Sequence, residues 1–274
     1  MQSDEQPQVE QTAQPAIACT DLLKRFGDFT AVNSISLEVK SGEIYGFLGP
    51  NGAGKTTTIK MLTGLLGADS GTATICGYDI VKQPLDARRM FGYIPDNPYL
   101  YEKLTGVEFL NFMADLYNMP RKDRAQSVAD LLALFALESK AHTLIQGYSR
   151  GMRQKIALAG ALIHHPRVIF LDEPTVGLDP QSALAMQEIL RELGRRGTTI
   201  FVSTHILEIA EKMCHRVAIV NRGEIIAQGT VAELQAWSAN QPDADSHAGP
   251  ASLEHIFLQL TGGDEYADRI RFLT

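Results

Sequence analysis

Gly49-Pro50-Asn51-Gly52-Ala53-Gly54-Lys55-Thr56 is the stretch on which the reading of this chain turns. Gly49 and Gly54 stand five positions apart and are followed at once by Lys55 and Thr56, the pattern that cradles a nucleoside triphosphate. The flanks suit it. Ile44-Tyr45-Gly46-Phe47-Leu48 is strand-like, and Thr57-Thr58-Ile59-Lys60-Met61-Leu62 can form a helix. Glycines let the main chain curl until its amide N–H groups point inward at phosphate oxygens. The N-terminus of the following helix adds partial positive charge. In that geometry Lys55 reaches the β and γ phosphates and the Thr56 hydroxyl holds Mg²⁺.

Working outward, a mononucleotide site needs a second group for the metal. Val168–Leu171 is an uninterrupted apolar run, the mark of a strand covered on both faces, and it ends in Asp172-Glu173-Pro174. A strand that ends in Asp puts the carboxylate at the C-terminal edge of the sheet, where the glycine loop also lies. Asp172 is then a Mg²⁺ ligand, directly or through water, and Glu173 is the group that activates or orients the attacking water. The plainer reading is an acidic turn that only caps a helix. A further apolar run, Thr199–Val202, leads through Ser203 and Thr204 to His205, which the same argument brings to the γ-phosphate. Finally, Tyr148-Ser149-Arg150-Gly151-Met152 precedes a helix-like stretch, Arg153–Ile163. Ser149 is a natural N-cap, and a capped helix start with a nearby glycine is an anion site. Two anion sites in one chain must meet within it, or two molecules must face each other.

The remaining pattern supplies the frame. The chain has 274 residues, 45% of them hydrophobic, enough for one large α/β domain with an insertion. Ser34 to Val39 alternates, and Thr72–Cys76 and Phe91–Ile94 read as strands. Between about 96 and 165 the spacing turns helical, with Phe109, Phe112, Met113 and Leu116, then Val128, Leu131, Leu132 and Phe135. From Val168 onward strand and helix alternate: helix Asp179–Arg196, strand Thr198–Ser203, helix Ile206–Met213, strand Arg216–Val220. Alternation of that kind predicts a mainly parallel sheet. Asn221-Arg222-Gly223 reads as a hairpin turn. Residues 1–16, rich in Gln, Glu and Pro, read as a disordered tail, 238–251 as a linker, and 252–274 as a tail opening with an amphipathic helix. A net charge of −7 and the absence of a basic stripe argue against a nucleic-acid partner. The three cysteines, Cys19, Cys76 and Cys214, show no metal spacing and read as reduced core residues. No apolar run is long enough to cross a bilayer.

Taken together and in this order, these motifs resemble the ATP-binding cassette (ABC) ATPases, from about Ile17 to Glu233. The resemblance implies a RecA-like P-loop NTPase core with a mainly parallel sheet, an N-terminal antiparallel β subdomain and an inserted helical subdomain, within a cassette spanning 17–237. It assigns Gly49, Pro50, Asn51, Gly52, Ala53, Gly54, Lys55, Thr56 and Thr57 to ATP. Asp172-Glu173-Pro174-Thr175 matches the Walker B strand and its glutamate, Gly177-Leu178-Asp179 the D-loop, and His205 the switch histidine. Phe26 occupies the place of the aromatic that stacks on adenine. Two positions depart. The usual signature Leu-Ser-Gly-Gly-Gln reads Tyr148-Ser149-Arg150-Gly151-Met152 here, keeping Ser149 and Gly151. Where a metal-proximal Gln is expected, the chain has Asp96, which can also ligate Mg²⁺. These features resemble the branch paired with ABC-2-type exporter permeases. The implied mechanism is a head-to-tail pair of cassettes, alike or related, around two Mg-ATP. That pair would be attached to an integral-membrane permease at the cytoplasmic face of the membrane. A soluble ABC ATPase and a nucleotide-gated module of low turnover are the competing readings.

Overall fold

The computed structural model describes residues 14–240 and 251–261. Most of the predicted N-terminal tail (1–13), the linker interior (241–250) and the end of the C-terminal tail (262–274) lie outside the described residues. In chain order the elements are β1 (Ile17–Phe26), β2 (Phe29–Val39), β3 (Ile44–Leu48), α1 (Lys55–Leu62), β4 (Ser70–Ile75) and β5 (Tyr78–Asp79). They continue with α2 (Pro84–Met90), β6 (Phe91–Ile94), α3 (Gly106–Leu116), α4 (Arg121–Leu134), α5 (Arg150–Leu162), β7 (Val168–Asp172) and α6 (Pro180–Arg195). The last are β8 (Thr199–Thr204), α7 (Leu207–Met213), β9 (Arg216–Asn221), β10 (Glu224–Thr230), α8 (Val231–Ala239) and α9 (Leu253–Thr261).

Two sheets result. One is antiparallel, ordered β2-β1-β4-β5. The other is ordered β10-β9-β3-β8-β7-β6, with every neighbouring pair from β9 to β6 parallel and only β10 antiparallel. Every residue of β3, β7 and β8 is buried, which is why these strands read as unbroken apolar runs. Their side chains divide between two cores. Tyr45, Phe47, Val168, Phe170 and Phe201 point toward α1 and the antiparallel sheet, and Phe201 lies 5.3–5.7 Å from the rings of Phe47, Phe170 and Tyr45. Ile44, Leu48, Ile169, Leu171, Ile200 and Val202 form the other core with the inserted helices. The β9–β10 connection is a two-residue turn with positive φ at both Arg222 (48°) and Gly223 (84°), the conformation a tight hairpin requires.

The helical insert is where the spacing puts it. A capping box opens α3, with Thr105 Oγ1 accepting from the Glu108 N–H and Glu108 accepting from the Thr105 N–H. The buried face of α3 carries Phe109, Leu110 and Ala114, while Leu116, predicted on that face, is exposed. Three other expectations are corrected. Ala16 is buried and donates its N–H to Val39 O, so ordered chain begins before residue 17. The linker does not begin at 238: α8 runs to Ala239, and the buried Ser238 hydroxyl donates to Gln259 Oε1 on α9 at 2.8 Å. Composition marked Ser238 as loop, but a cross-helix hydrogen bond outweighs a weak local preference. Leu253 and Ile256 of α9 join the main core, so this helix belongs to the domain. Cys19 and Cys214 are buried as expected, whereas Cys76 sits half-buried in a turn.

Candidate functional site

Strand order creates the site. Because β8 lies between β3 and β7, the chain leaves all three strands at one edge, with Leu48 opposite Thr204 and Asp172 opposite Ser203. The glycine loop follows β3 and enters α1 through Gly54, whose φ of +101° and lack of any side-chain cap are set by close packing. A Cβ at Gly54 would collide with Ala31 O. The first helical bond is Thr58 N–H to Gly54 O at 2.9 Å, so the amides of Lys55, Thr56 and Thr57 have no partner within the helix. No acidic residue stands in that first turn, and the start of α1 remains electropositive. The β9–β10 hairpin braces the loop from outside, Gly223 N–H donating to Ala53 O at 3.0 Å.

Lys55 curls back over its own loop. Its side chain is 6% exposed, and Nζ donates to Gly49 O (2.8 Å) and Pro50 O (3.2 Å) while lying 3.3 Å from Glu173 Oε1. Glu173 is held in a left-handed conformation (φ 51°) by its N–H, which donates to Ser203 O at 3.1 Å. Its Oε2 meets His205 Nδ1 at 3.0 Å, and its buried Oε1 accepts no hydrogen bond. Lys55, Glu173 and His205 thus form a contiguous polar chain. Asp172 is 1% exposed and accepts a 2.5 Å hydrogen bond from Ser203 Oγ. The Tyr93 hydroxyl on neighbouring β6 is buried without a hydrogen bond, and burial first, then the Asp172 charge, pushes its pKa up to about 12, so the phenol stays neutral.

These features fit a metal-bound triphosphate. Open amides and an ammonium surround the loop, and the Glu173 carboxylate, ion-paired with that ammonium, lies at its mouth. Among the described residues no group of three or more His, Cys, Asp or Glu could cage a metal unaided. Thr56, the second residue of α1, is exposed.

The remaining predicted residues divide. Ser149 caps α5, its Oγ accepting from Met152 N–H at 3.3 Å, and Gly151 packs against Ser182. Asp179 caps α6, and the Ser182 hydroxyl and N–H hold its carboxyl below the usual carboxylate range. No hydrogen bond or ion pair between described residues joins Ser149, Gly151 or Asp179 to the glycine loop. Phe26 is 51% exposed at the end of β1, with Lys24 Nζ 5.7 Å from its ring, so it is no strand-end core residue. Asp96 follows β6 to the same edge as Asp172, but it is exposed and makes no hydrogen bond or ion pair with any described residue. Ser203 was missed. It stood in the quoted Ser203-Thr204-His205 run, but only the β7–β8 register sets it against Asp172.

Comparison with known proteins agrees with this geometry. Residues 32–176 match the family described as ABC transporter. The chain is 38% identical over 89% of its length to the probable multidrug ABC transporter ATP-binding protein YbhF of Escherichia coli (strain K12), covering 41% of that protein. It therefore spans about two-fifths of the length of that relative. It is 44% identical over 75% of its length to the Nod factor export ATP-binding protein I of Burkholderia orbicola (strain AU 1054), covering 68% of it. A solved structure described as the ATP binding subunit of an ABC transporter superposes with a TM-score of 0.80 at 32% identity, covering 89% of this chain and 99% of that one. With the loop, the strand-end carboxylates and the capped helix of the insert arranged as described, this chain belongs to the ABC transporter family as an ATP-binding cassette.

Proposed function

We propose that this cassette hydrolyses Mg-ATP and couples the cycle to export through a separate membrane permease. The observation that carries the reading is the meeting of Lys55, Asp172, Glu173 and His205 at the edge where the glycine loop opens. Lys55 would exchange its carbonyl and Glu173 contacts for phosphate oxygens. Thr56 and Asp172 would hold Mg²⁺, with Asp96 a third candidate, and Phe26 would stack on the adenine. A Mg²⁺ ion held there would offset negative charge that develops during phosphoryl transfer. Glu173, released from Lys55, would orient the attacking water, and His205 would hold Glu173 and meet the γ-phosphate. Ser149, Gly151 and Asp179 would serve the nucleotide of a facing cassette, a second copy or a relative; the N-cap geometry of Ser149 and Asp179 supports that reading.

The relatives' names support the partner and place in this reading. Nod factor export and multidrug transport are movements across a membrane. No helix among the described residues is long and apolar enough to cross one. The crossing chain is then a permease, of the ABC-2 type in this reading, and the cassette works at the cytoplasmic face of the membrane. The test is a pair of variants. Glu173→Gln should retain ATP binding, lose at least about 100-fold in turnover, and form an ATP-dependent dimer visible by light scattering. Lys55→Ala should lose ATP binding in calorimetric titration. Normal turnover in Glu173→Gln would remove that carboxylate from the role given it.

A further inference from the structure

Arg150 has a place in the structure that neither the loop nor the carboxylates explain. It stands at the third residue of the signature stretch, between Ser149 and Gly151, at the first turn of α5. Although the residue is exposed, its guanidinium folds back onto the 176–177 backbone. Nη2 donates to Val176 O at 2.9 Å, and the plane of the group lies against Gly177. Gly177 adopts a φ of +71°, and a Cβ there would lie 2.5 Å from Arg150 Nη1 and 2.7 Å from Nε. Only a residue without a side chain lets the guanidinium settle on this turn. A planar fork of donors matches a carbonyl beside a bare peptide in a way the single ammonium of lysine does not.

The turn that Arg150 grips is itself anchored to Glu173. Val176 N–H donates to Glu173 O at 3.2 Å and Leu178 N–H to Thr175 O at 3.3 Å. The segment then ends in Asp179, which caps α6 and accepts from Ser182 Oγ at 2.6 Å. A Cβ on Gly151 would meet that same Ser182 Oγ at 3.1 Å, so α5 touches the segment at a second point. A short run of hydrogen bonds therefore joins the main chain of Glu173, on the sheet, to the residue between Ser149 and Gly151, on the helical insert.

We infer that Arg150 is a positioning residue that locks the 176–179 turn to the first turn of α5 and so fixes how Ser149 and Gly151 are presented relative to Glu173. Its importance for turnover rests on the proposed role of Ser149 and Gly151 toward a facing cassette; the lock itself does not. The guanidinium acts through Val176 and Gly177 and is not spent on phosphate.

Two measurements on the full chain test this separately. In hydrogen exchange without nucleotide, peptides covering 173–183 should exchange faster in Arg150→Ala and Gly177→Ala, with Arg150→Lys between them and the wild type. In steady-state hydrolysis, both variants should lose about three- to tenfold in kcat with KM for ATP changed less than twofold. Thermal melting checks that Gly177→Ala is folded; if it is not, the Arg150→Ala and Arg150→Lys pair carries the comparison. Unchanged exchange in Arg150→Ala would overturn the lock. So would unchanged exchange with a raised KM, because it would assign the guanidinium to phosphate directly. Should the wild type fail to hydrolyse ATP, the proposed function falls, while the exchange experiment still decides the place of Arg150.

Discussion

Single residues in this cassette act through partners that lie far away in sequence. Asp172 is the clearest case. A buried carboxylate needs donors, and Ser203 Oγ supplies one at 2.5 Å from the next strand. The Ser203 backbone carbonyl also takes the N–H of Glu173. Ser203→Ala keeps that carbonyl but removes the hydroxyl, leaving Asp172 free to turn. The expected outcome is about a tenfold fall in turnover and a higher Mg²⁺ requirement, read by hydrolysis across a Mg²⁺ titration. Unchanged kinetics would mean the strand backbone alone aims the carboxylate. Lys55 and Glu173 show the same dependence: their side chains, far apart in sequence, lie 3.3 Å from each other.

Elements carry the next layer of constraint, and the start of α1 shows how tight it is. Gly54 combines a positive φ with contact against Ala31 of β2, so the loop conformation is held by a neighbouring strand as well as by its own torsions. Gly54→Ala would add left-handed strain and an overlap with a carbonyl that cannot move without shifting β2. A loss of about 2–4 kcal/mol in urea unfolding is expected. Gly67→Ala provides the control, since a Cβ there meets nothing within 4 Å. It should change stability by less than about 0.5 kcal/mol. The Ser149 cap was legible at this scale, although the helix was expected from Arg153 and begins at Arg150. Ser149, Thr105 and Asp179 each cap the helix that follows through a side-chain oxygen three residues from its donor. The α8 end was not, because Ser238 is buried by α9, more than a dozen positions further on.

At the scale of the whole molecule, the insert and the sheet are joined through His164. It lies just past α5, stacks on Tyr117 at 3.5 Å between ring centres, and meets Phe91 O at 3.2 Å through Nε2. Its Nδ1 is buried without a hydrogen bond, and burial pushes the pKa down to about 4. An unfolded histidine titrates near 6.5. Between those values the unfolded chain binds more protons than the folded one, so stability falls as pH is lowered from about 6.5 to about 4. His164→Phe keeps the ring stack and removes the titration. The variant should lose less stability than the wild type between pH 7 and pH 4.5, by about 1–2 kcal/mol once solvent access to the ring is allowed for. Urea unfolding at the two pH values measures it, and equal losses would show that this ring does not titrate with unfolding.

The sequence by itself determined the phosphate loop, the two strand-end carboxylates, the Ser149 cap and the alternation of strand and helix. Each of these is specified by residues within about one turn or one strand of each other, where torsional preference and burial period act directly. Only the tertiary structure decided that β8 inserts between β3 and β7, which sets Ser203 against Asp172 and closes Lys55, Glu173 and His205 into one polar chain. It also decided that Arg150 settles on Gly177 and that α9 returns to bury Ser238. Those outcomes depend on which surfaces of distant segments pack together. That choice is made by the summed burial of two cores, and no local pattern encodes it.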